Sequence, residues 1–113
     1  MTSQIQFVNT KTVDRLEIDV LDKLEKLEKR YDWIINARVF LKEEVFKDTV
    51  KDKAVEIILS VPGPNIFNKT YAQTFEAAIA EGFADMDVLL RKHKEKMYRS
   101  QSREKINMPD LPA

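Results

Sequence analysis

A chain of 113 residues, 43% hydrophobic and with only two glycines, is sized for one domain around one core and is too apolar for a disordered or fibrous chain. The lack of cysteine excludes a disulfide framework and a thiolate metal site, and the first residues hold no apolar run long enough for a secretory leader or a membrane span, so the expected location is the cytoplasm. A formal net charge of zero hides an asymmetry: residues 91–105 carry seven basic residues against Glu95 and Glu104, a balance of +5, and the rest of the chain carries −5.

Residues 4–8 alternate, with Ile5 and Phe7 on one face, and predict a short strand. Thr12 is the expected N-cap of the helix that follows, with Asp14 in its first turn, where the helix dipole favours an anion. Apolar residues then recur in steps of three and four at Val13, Leu16, Val20, Leu24, Leu27 and Tyr31, which predicts a helix of about 20 residues with one apolar face. Ile18 and Leu21 widen that face, and the opposite face mixes six acids with Arg15, Lys23, Lys26, Lys29 and Arg30.

The period changes to two over residues 34–42, a half-buried strand with Ile35, Ala37, Val39 and Leu41 inward and Asn36, Arg38, Phe40 and Lys42 outward. Residues 43–52 are charged and read as a long hairpin loop. Residues 53–61 form the next strand, with Val55, Ile57, Leu59 and Val61 inward. Pro62-Gly63-Pro64 forces a turn, and residues 66–69 form a short last strand. Thr70 and Gln73 have capping-box spacing. A long helix follows, with Phe75, Ile79, Phe83, Met86, Leu90, His93 and Met97 on one stripe, and Gly82 inside it at a cost of about 1 kcal/mol, consistent with close packing on the sheet. The helix outruns the core after Leu90. Residues 1–99 are the expected domain and residues 100–113 a flexible tail.

The element order β-α-β-β-β-α predicts an α+β domain: a four-stranded mixed sheet with both helices on one face, the last three strands antiparallel and the first parallel to a neighbour.

Catalysis needs converging reactive groups, and the candidates are few. The one histidine, His93, has cations for neighbours in Arg91-Lys92-His93-Lys94 and no adjacent carboxylate to orient it; it reads as a structural residue or a phosphate-facing donor. Two glycines provide no phosphate loop, and the Glu43-Glu44 pair reads as solvated. The expectation is no catalytic residue, no metal, no cofactor and no small-molecule substrate. Arg91, Lys92, Lys94, Lys96 and Arg99 occupy successive helical turns, a spacing that serves either a phosphate backbone or merely a solvated helix end. Tyr31 and Trp33 read as packing at a helix end. Phe40 on the polar strand face reads either as a base-stacking residue or as an incidental exposed aromatic.

Several stretches taken together resemble the hibernation-promoting, RaiA-like family of ribosome-binding stress proteins (ribosome-associated inhibitor, sigma-54 modulation protein). These are Lys23-Leu24-Glu25-Lys26-Leu27-Glu28-Lys29 followed by Tyr31-Asp32; Ile34-Ile35-Asn36 leading to Val39-Phe40-Leu41; Val55-Glu56-Ile57 with Val61-Pro62-Gly63; Thr74-Phe75-Glu76-Ala77-Ala78-Ile79; and Leu90-Arg91-Lys92-His93-Lys94-Glu95-Lys96. The resemblance covers residues 4–98 and lies in the order and spacing of these stretches. It implies a fold like a double-stranded-RNA-binding domain with an added strand. It also implies docking on small-subunit rRNA in the channel used by messenger RNA and by A- and P-site transfer RNA, with translation inhibited under stress or in stationary phase. The rRNA-facing residues it implies are Lys23, Lys26 and Lys29 on the first helix and Arg91, Lys92 and Lys94 on the second, to which the helical spacing adds Lys96. The implied partner is the small ribosomal subunit, with no membrane, and the protein is expected to be a monomer off the ribosome. Asp85 and Val88 stand where the family usually has a lysine and an arginine, which implies weaker rRNA affinity. The alternative is a diverged protein-interaction module on the same fold; a small enzyme is the third reading.

Overall fold

The computed structural model describes residues 1–44 and 52–110, the last of these, 100–110, by their backbone alone. Its elements are β1 (Thr2–Val8), α1 (Asp14–Arg30), β2 (Asn36–Glu43), β3 (Lys53–Ser60), β4 (Ile66–Ala72) and α2 (Phe75–Asp110). The four strands lie in the order β1-β2-β3-β4, with β1 parallel to β2 and the other two pairs antiparallel. This is the expected α+β architecture, mixed sheet included.

Alternation in the strands divides the sheet into two unlike faces. Ala37, Val39 and Leu41 of β2 and Val55, Ile57 and Leu59 of β3 are buried under the helices. Leu16, Val20, Leu24 and Leu27 of α1 and Ala78, Ile79, Phe83, Met86 and Leu90 of α2 complete one continuous core, with Ile5 and Phe7 of β1 packed at its edge. The opposite face carries Gln4 and Gln6, Arg38, Phe40 and Lys42, Glu56 and Ile58, and Phe67, Lys69 and Tyr71, and among the described residues no helix covers it.

Several local expectations are corrected. The cap of α1 is Val13, not Thr12, and it makes no side-chain hydrogen bond. Helix α1 is 17 residues long, and Ile18 (66% exposed) and Leu21 lie outside its buried face. Residue 35 is out of phase. The chain leaves α1 through a turn in which the Ile34 N–H donates to the Tyr31 carbonyl, so Ile34 is buried and Ile35 is 55% exposed at the sheet margin. The proposed loop at 43–52 is in part strand, since β2 runs to Glu43 and Glu44 bonds Asp52 across the ladder; residues 45–51 lie outside the described ones. Thr70 is no cap. It is buried in β4, which runs three residues beyond the expected end, and its hydroxyl accepts from Asn68. The cap of α2 is Thr74, whose Oγ1 accepts from the Ala77 N–H at 3.1 Å.

Both glycines have geometric reasons. Gly63, between the two prolines, has φ +94°, a conformation that favours glycine. Gly82 faces the sheet, where a Cβ would lie 3.4 Å from both Ile57 Cδ1 and Thr70 Oγ1, so the close approach inferred from the sequence is present.

Candidate nucleic-acid interface

Helix α1 is polarised around its axis. On one flank Glu28 meets the chain's own terminal amino group at 3.1 Å, on the β1 side of the domain. On the other flank Lys23, Lys26 and Arg30 line a groove against Ala80, Ala84 and Asp87 of α2. The three α1 lysines each contact the acid one turn earlier: Lys23 to Asp19 at 3.1 Å, Lys26 to Asp22 at 3.1 Å and Lys29 to Glu25 at 3.5 Å. Exposed pairs of this spacing are worth about 0.3–0.5 kcal/mol each, so a phosphate can displace the acid at little cost.

The two helices are joined at Asp87. Its carboxylate accepts from the Tyr31 hydroxyl at 2.6 Å and from Arg30 at 2.7 Å, and Arg91 stands at 3.9 Å. Burial, and then the Asp87 carboxylate, push the Tyr31 phenol above its ordinary pKa. Sequence reasoning misses the joining role of Asp87 and Arg30, because it depends on how the helices dock; the available sign is an acid four residues before Arg91.

The cations at the end of α2 do not form one row. At 100° per residue, Arg91 and Lys94 return to the α1 side on which Asp87 lies. Lys92 and Lys96 lie on the opposite flank, where with Leu89 and His93 they border a hollow against Asn65 and Phe67. Lys94 also lies over the Tyr98 ring, 5.7 Å from its centroid. Of the seven cations read from the sequence, Lys23, Lys26 and Arg91 therefore flank the seam between the helices, with Lys94 on the same side of α2 toward its end. Lys29 is further round α1, and Lys92 and Lys96 face the β4 side.

His93 takes the structural role. Its Nε2–H donates to the Pro62 carbonyl at 2.8 Å, which fixes the tautomer, and its ring lies 5.4 Å from that of Trp33, itself edge-on to Tyr31 at 5.7 Å. The histidine ties α2 to the turn before β4, and the two aromatics pack the helix end as expected. Asp85 and Val88 are exposed on α2. The Glu43-Glu44 pair is not simply solvated: Glu43 bonds Lys53, and Glu44 accepts from Lys69 at 2.9 Å and from Tyr71 at 3.1 Å. The Lys69 ammonium, with Tyr71, holds the Glu44 carboxyl below the usual glutamate range. Among the described residues no group of three acids or histidines is placed to hold a metal ion, and no helix is long and apolar enough to cross a membrane.

Residues 3–98 match the family described as sigma 54 modulation protein / S30EA ribosomal protein. A ribosome hibernation promoting factor from Pseudomonas putida is 36% identical over 78 residues, 68% of this chain and 71% of the relative. Among solved structures, a ribosomal subunit interface protein from Coxiella burnetii superposes with a TM-score of 0.73 at 19% identity, covering 84% of this chain and 99% of the other. The N-terminal domain of Protein Y from Thermus thermophilus superposes at 0.68 with 20% identity, over 82% and 99% of the two chains. At these identities the two structures establish the shared fold.

Proposed function

The chain belongs to the sigma 54 modulation protein / S30EA ribosomal protein family, and on that premise we propose that it is a ribosome-binding translation inhibitor that docks on small-subunit rRNA in the cytoplasm. The observation that carries the proposal is the seam where Lys23, Lys26, Arg30 and Arg91 gather, beside their acid partners Asp19, Asp22 and Asp87, while Glu28 turns toward β1. A polyanion meeting that seam finds cations engaged only by weak surface pairs. Neutralising phosphates releases condensed counterions, which drives binding and makes it salt-dependent. The relatives are named as hibernation and subunit-interface proteins, not as enzymes, and the proposed mechanism is occlusion of the messenger and transfer RNA path, with Lys29, Lys92, Lys94 and Lys96 as outer contacts. Residues 1–99 are the binding domain in this proposal, and the free protein is a monomer.

A protein-interaction module on the same fold is the second reading, favoured by the exposed Asp85 and Val88 on the outer face of α2. Sedimentation with purified small subunits across a salt series separates the two. Arg91, Lys92 and Lys94 are reversed together to Glu; all three lie beyond the buried stripe, and such surface changes usually shift stability by less than about 0.5 kcal/mol. The triple variant should stay folded, lose subunit binding and cease to inhibit cell-free translation. A folded triple variant that inhibits like wild type would overturn the proposal.

A further inference from the structure

The uncovered sheet face holds a row of four side chains abreast, set by the register Gln4–Arg38–Ile58–Phe67 across all four strands. Phe67 is 54% exposed, although a ring of that size is ordinarily buried on folding. Ile58 beside it is half-buried, which makes an apolar shelf two strands wide. Arg38 is exposed and makes no ion pair among the described residues, unlike Lys42 and Lys69 on the same face, which are engaged by Glu56 and Glu44. Beyond Arg38 the end of the sheet opens into a hollow lined by uncharged hydrogen-bonding groups, among them Gln4, Asn36, Ser60 and Asn65.

We propose that this face is a second RNA-contact surface that seats an unpaired nucleotide, its base stacked on Phe67 and Ile58, its phosphate on Arg38 and its polar edges toward the amides of the hollow. Strands lie about 4.8 Å apart, so Phe67 and Arg38, two strands apart, are separated by about 10 Å, a span that one nucleotide and the arginine side chain together bridge. A four-stranded sheet with helices on one face and aromatics on the other is a physical platform for splayed bases, because every base has a face to stack and the sheet holds the ring still. Charge favours a nucleic acid over a protein strand: this face carries Arg38, Lys42 and Lys69 against Glu56 and Glu44, and with Lys42 and Lys69 matched to those acids Arg38 is the cation left without an ion pair among the described residues. Phe40, with Lys42 5.7 Å from its ring centroid, lies on the same face one row away and extends the surface along a strand of RNA. The inference rests on the ribosome-binding reading above, and it gives the domain RNA contacts on two opposite sides.

The test uses the full chain and a fluorescein-labelled single-stranded RNA of about eight nucleotides, followed by anisotropy, with small-subunit sedimentation in parallel. Phe67→Ala should weaken oligonucleotide binding roughly tenfold without changing its salt dependence, because stacking releases no counterion, and Phe67→Tyr should restore it. Arg38→Gln should weaken binding and lower the log–log salt slope by about 0.7. Both residues are exposed, so the variants should melt like wild type. If wild type sediments with subunits but both variants match it in both assays, the sheet inference falls and the ribosome reading stands. If wild type binds the oligonucleotide with these dependences yet ignores subunits, the ribosome reading falls and the sheet site stands. Failure of wild type to bind the oligonucleotide, or self-association of the free protein that Phe67→Ala abolishes, would overturn the inference, the latter by assigning the face to a second copy.

Discussion

Replacing Asp87 by Asn should make the protein less stable and a better RNA binder at once. Asp87 is half-buried between the helices, and its carboxylate holds the Tyr31 hydroxyl at 2.6 Å and Arg30 at 2.7 Å. The substitution keeps the shape and removes the charge. A hydrogen bond to a charged partner contributes about 1.5–3 kcal/mol and a neutral one about 0.5–1.5, so Tyr31 loses about 1 kcal/mol. Arg30 is largely exposed, and its ion pair adds at most a further ~1 kcal/mol. A total of about 1–2 kcal/mol corresponds to a Tm lower by roughly 4–8 °C, given an unfolding entropy near 2.1 cal/mol/K per residue. Arg30 and Arg91 are then free of their shared acid. In water, one charge at about 8 Å is worth ~0.5 kcal/mol, so small-subunit affinity should rise roughly twofold per nearby phosphate at low salt and return to the wild-type value as salt screens the seam. Thermal melts and sedimentation across a salt series read both effects. The Tyr31 phenol should also titrate at lower pH, since one of the two influences that raise it is gone. A variant as stable as wild type, or one that binds more weakly at low salt, would refute the assignment of Asp87 as the acid that joins the helices and restrains their cations.

Asp85→Lys with Val88→Arg adds two cations to the exposed face of α2 and should tighten subunit binding, steepening the salt slope by about 0.7–0.9 for each new phosphate contact; no gain at any salt would show that these positions do not face RNA. The Glu44 carboxyl is held down chiefly by Lys69, so Lys69→Met should move its titration, followed by carboxyl NMR, up toward the ordinary glutamate value. A depressed pKa contributes stability above the unfolded value that is lost as pH falls through the folded one, so the variant should lose less stability than wild type across that acid window, and an unmoved Glu44 titration would refute the pairing. Amide exchange over residues 100–110 should run at least about tenfold faster than around Leu90, because this stretch continues α2 beyond Leu90, the last of its described residues to be buried, and a helix without tertiary packing is marginal; equal protection would remove the proposed flexible tail.

The parts of the fold legible in the sequence were those set by a single element's own period. Leu16, Val20, Leu24 and Leu27 had to share a helix face, and Val55, Ile57 and Leu59 a strand face, whatever packed against them. Errors arose where two elements compete for one residue. Thr70 has the right spacing to Gln73 for a cap, but pairing with Val55 is worth more to the chain there, so the strand continues and Thr74 takes the cap. Ile35 matches the strand period, but the turn after Tyr31 shifts the phase and sends Ile34 inward instead. Phe67 lies in a predicted strand, and only the topology shows that, among the described residues, no helix covers its side of the sheet. The same holds for the cations: Arg91 and Lys92 are neighbours in sequence and lie 100° apart on the helix, and which of them meets α1 depends on how that helix is docked.

That docking explains how a chain of zero net charge can present a surface to a polyanion. Nineteen basic and nineteen acidic residues would cancel if they were interspersed on every face. They are not evenly interspersed, although the α1 lysines keep an acid one turn away. On α1 the basic residues Lys23, Lys26 and Arg30 turn to the groove beside α2, and Glu28 turns to the β1 side. On the sheet, Glu56 is matched to Lys42 and Glu44 to Lys69, so these acids are neutralised within the protein and Arg38 is left without an ion partner among the described residues. Beyond roughly one Debye length, about 8 Å at physiological salt, an approaching phosphate does not sense the net charge of the whole protein. It senses the nearest few side chains, and at the seam those are cations restrained by Asp87. On the proposed rRNA-binding reading, Asp87 is therefore the residue through which the stability of the helix pair and its affinity for phosphate oppose each other.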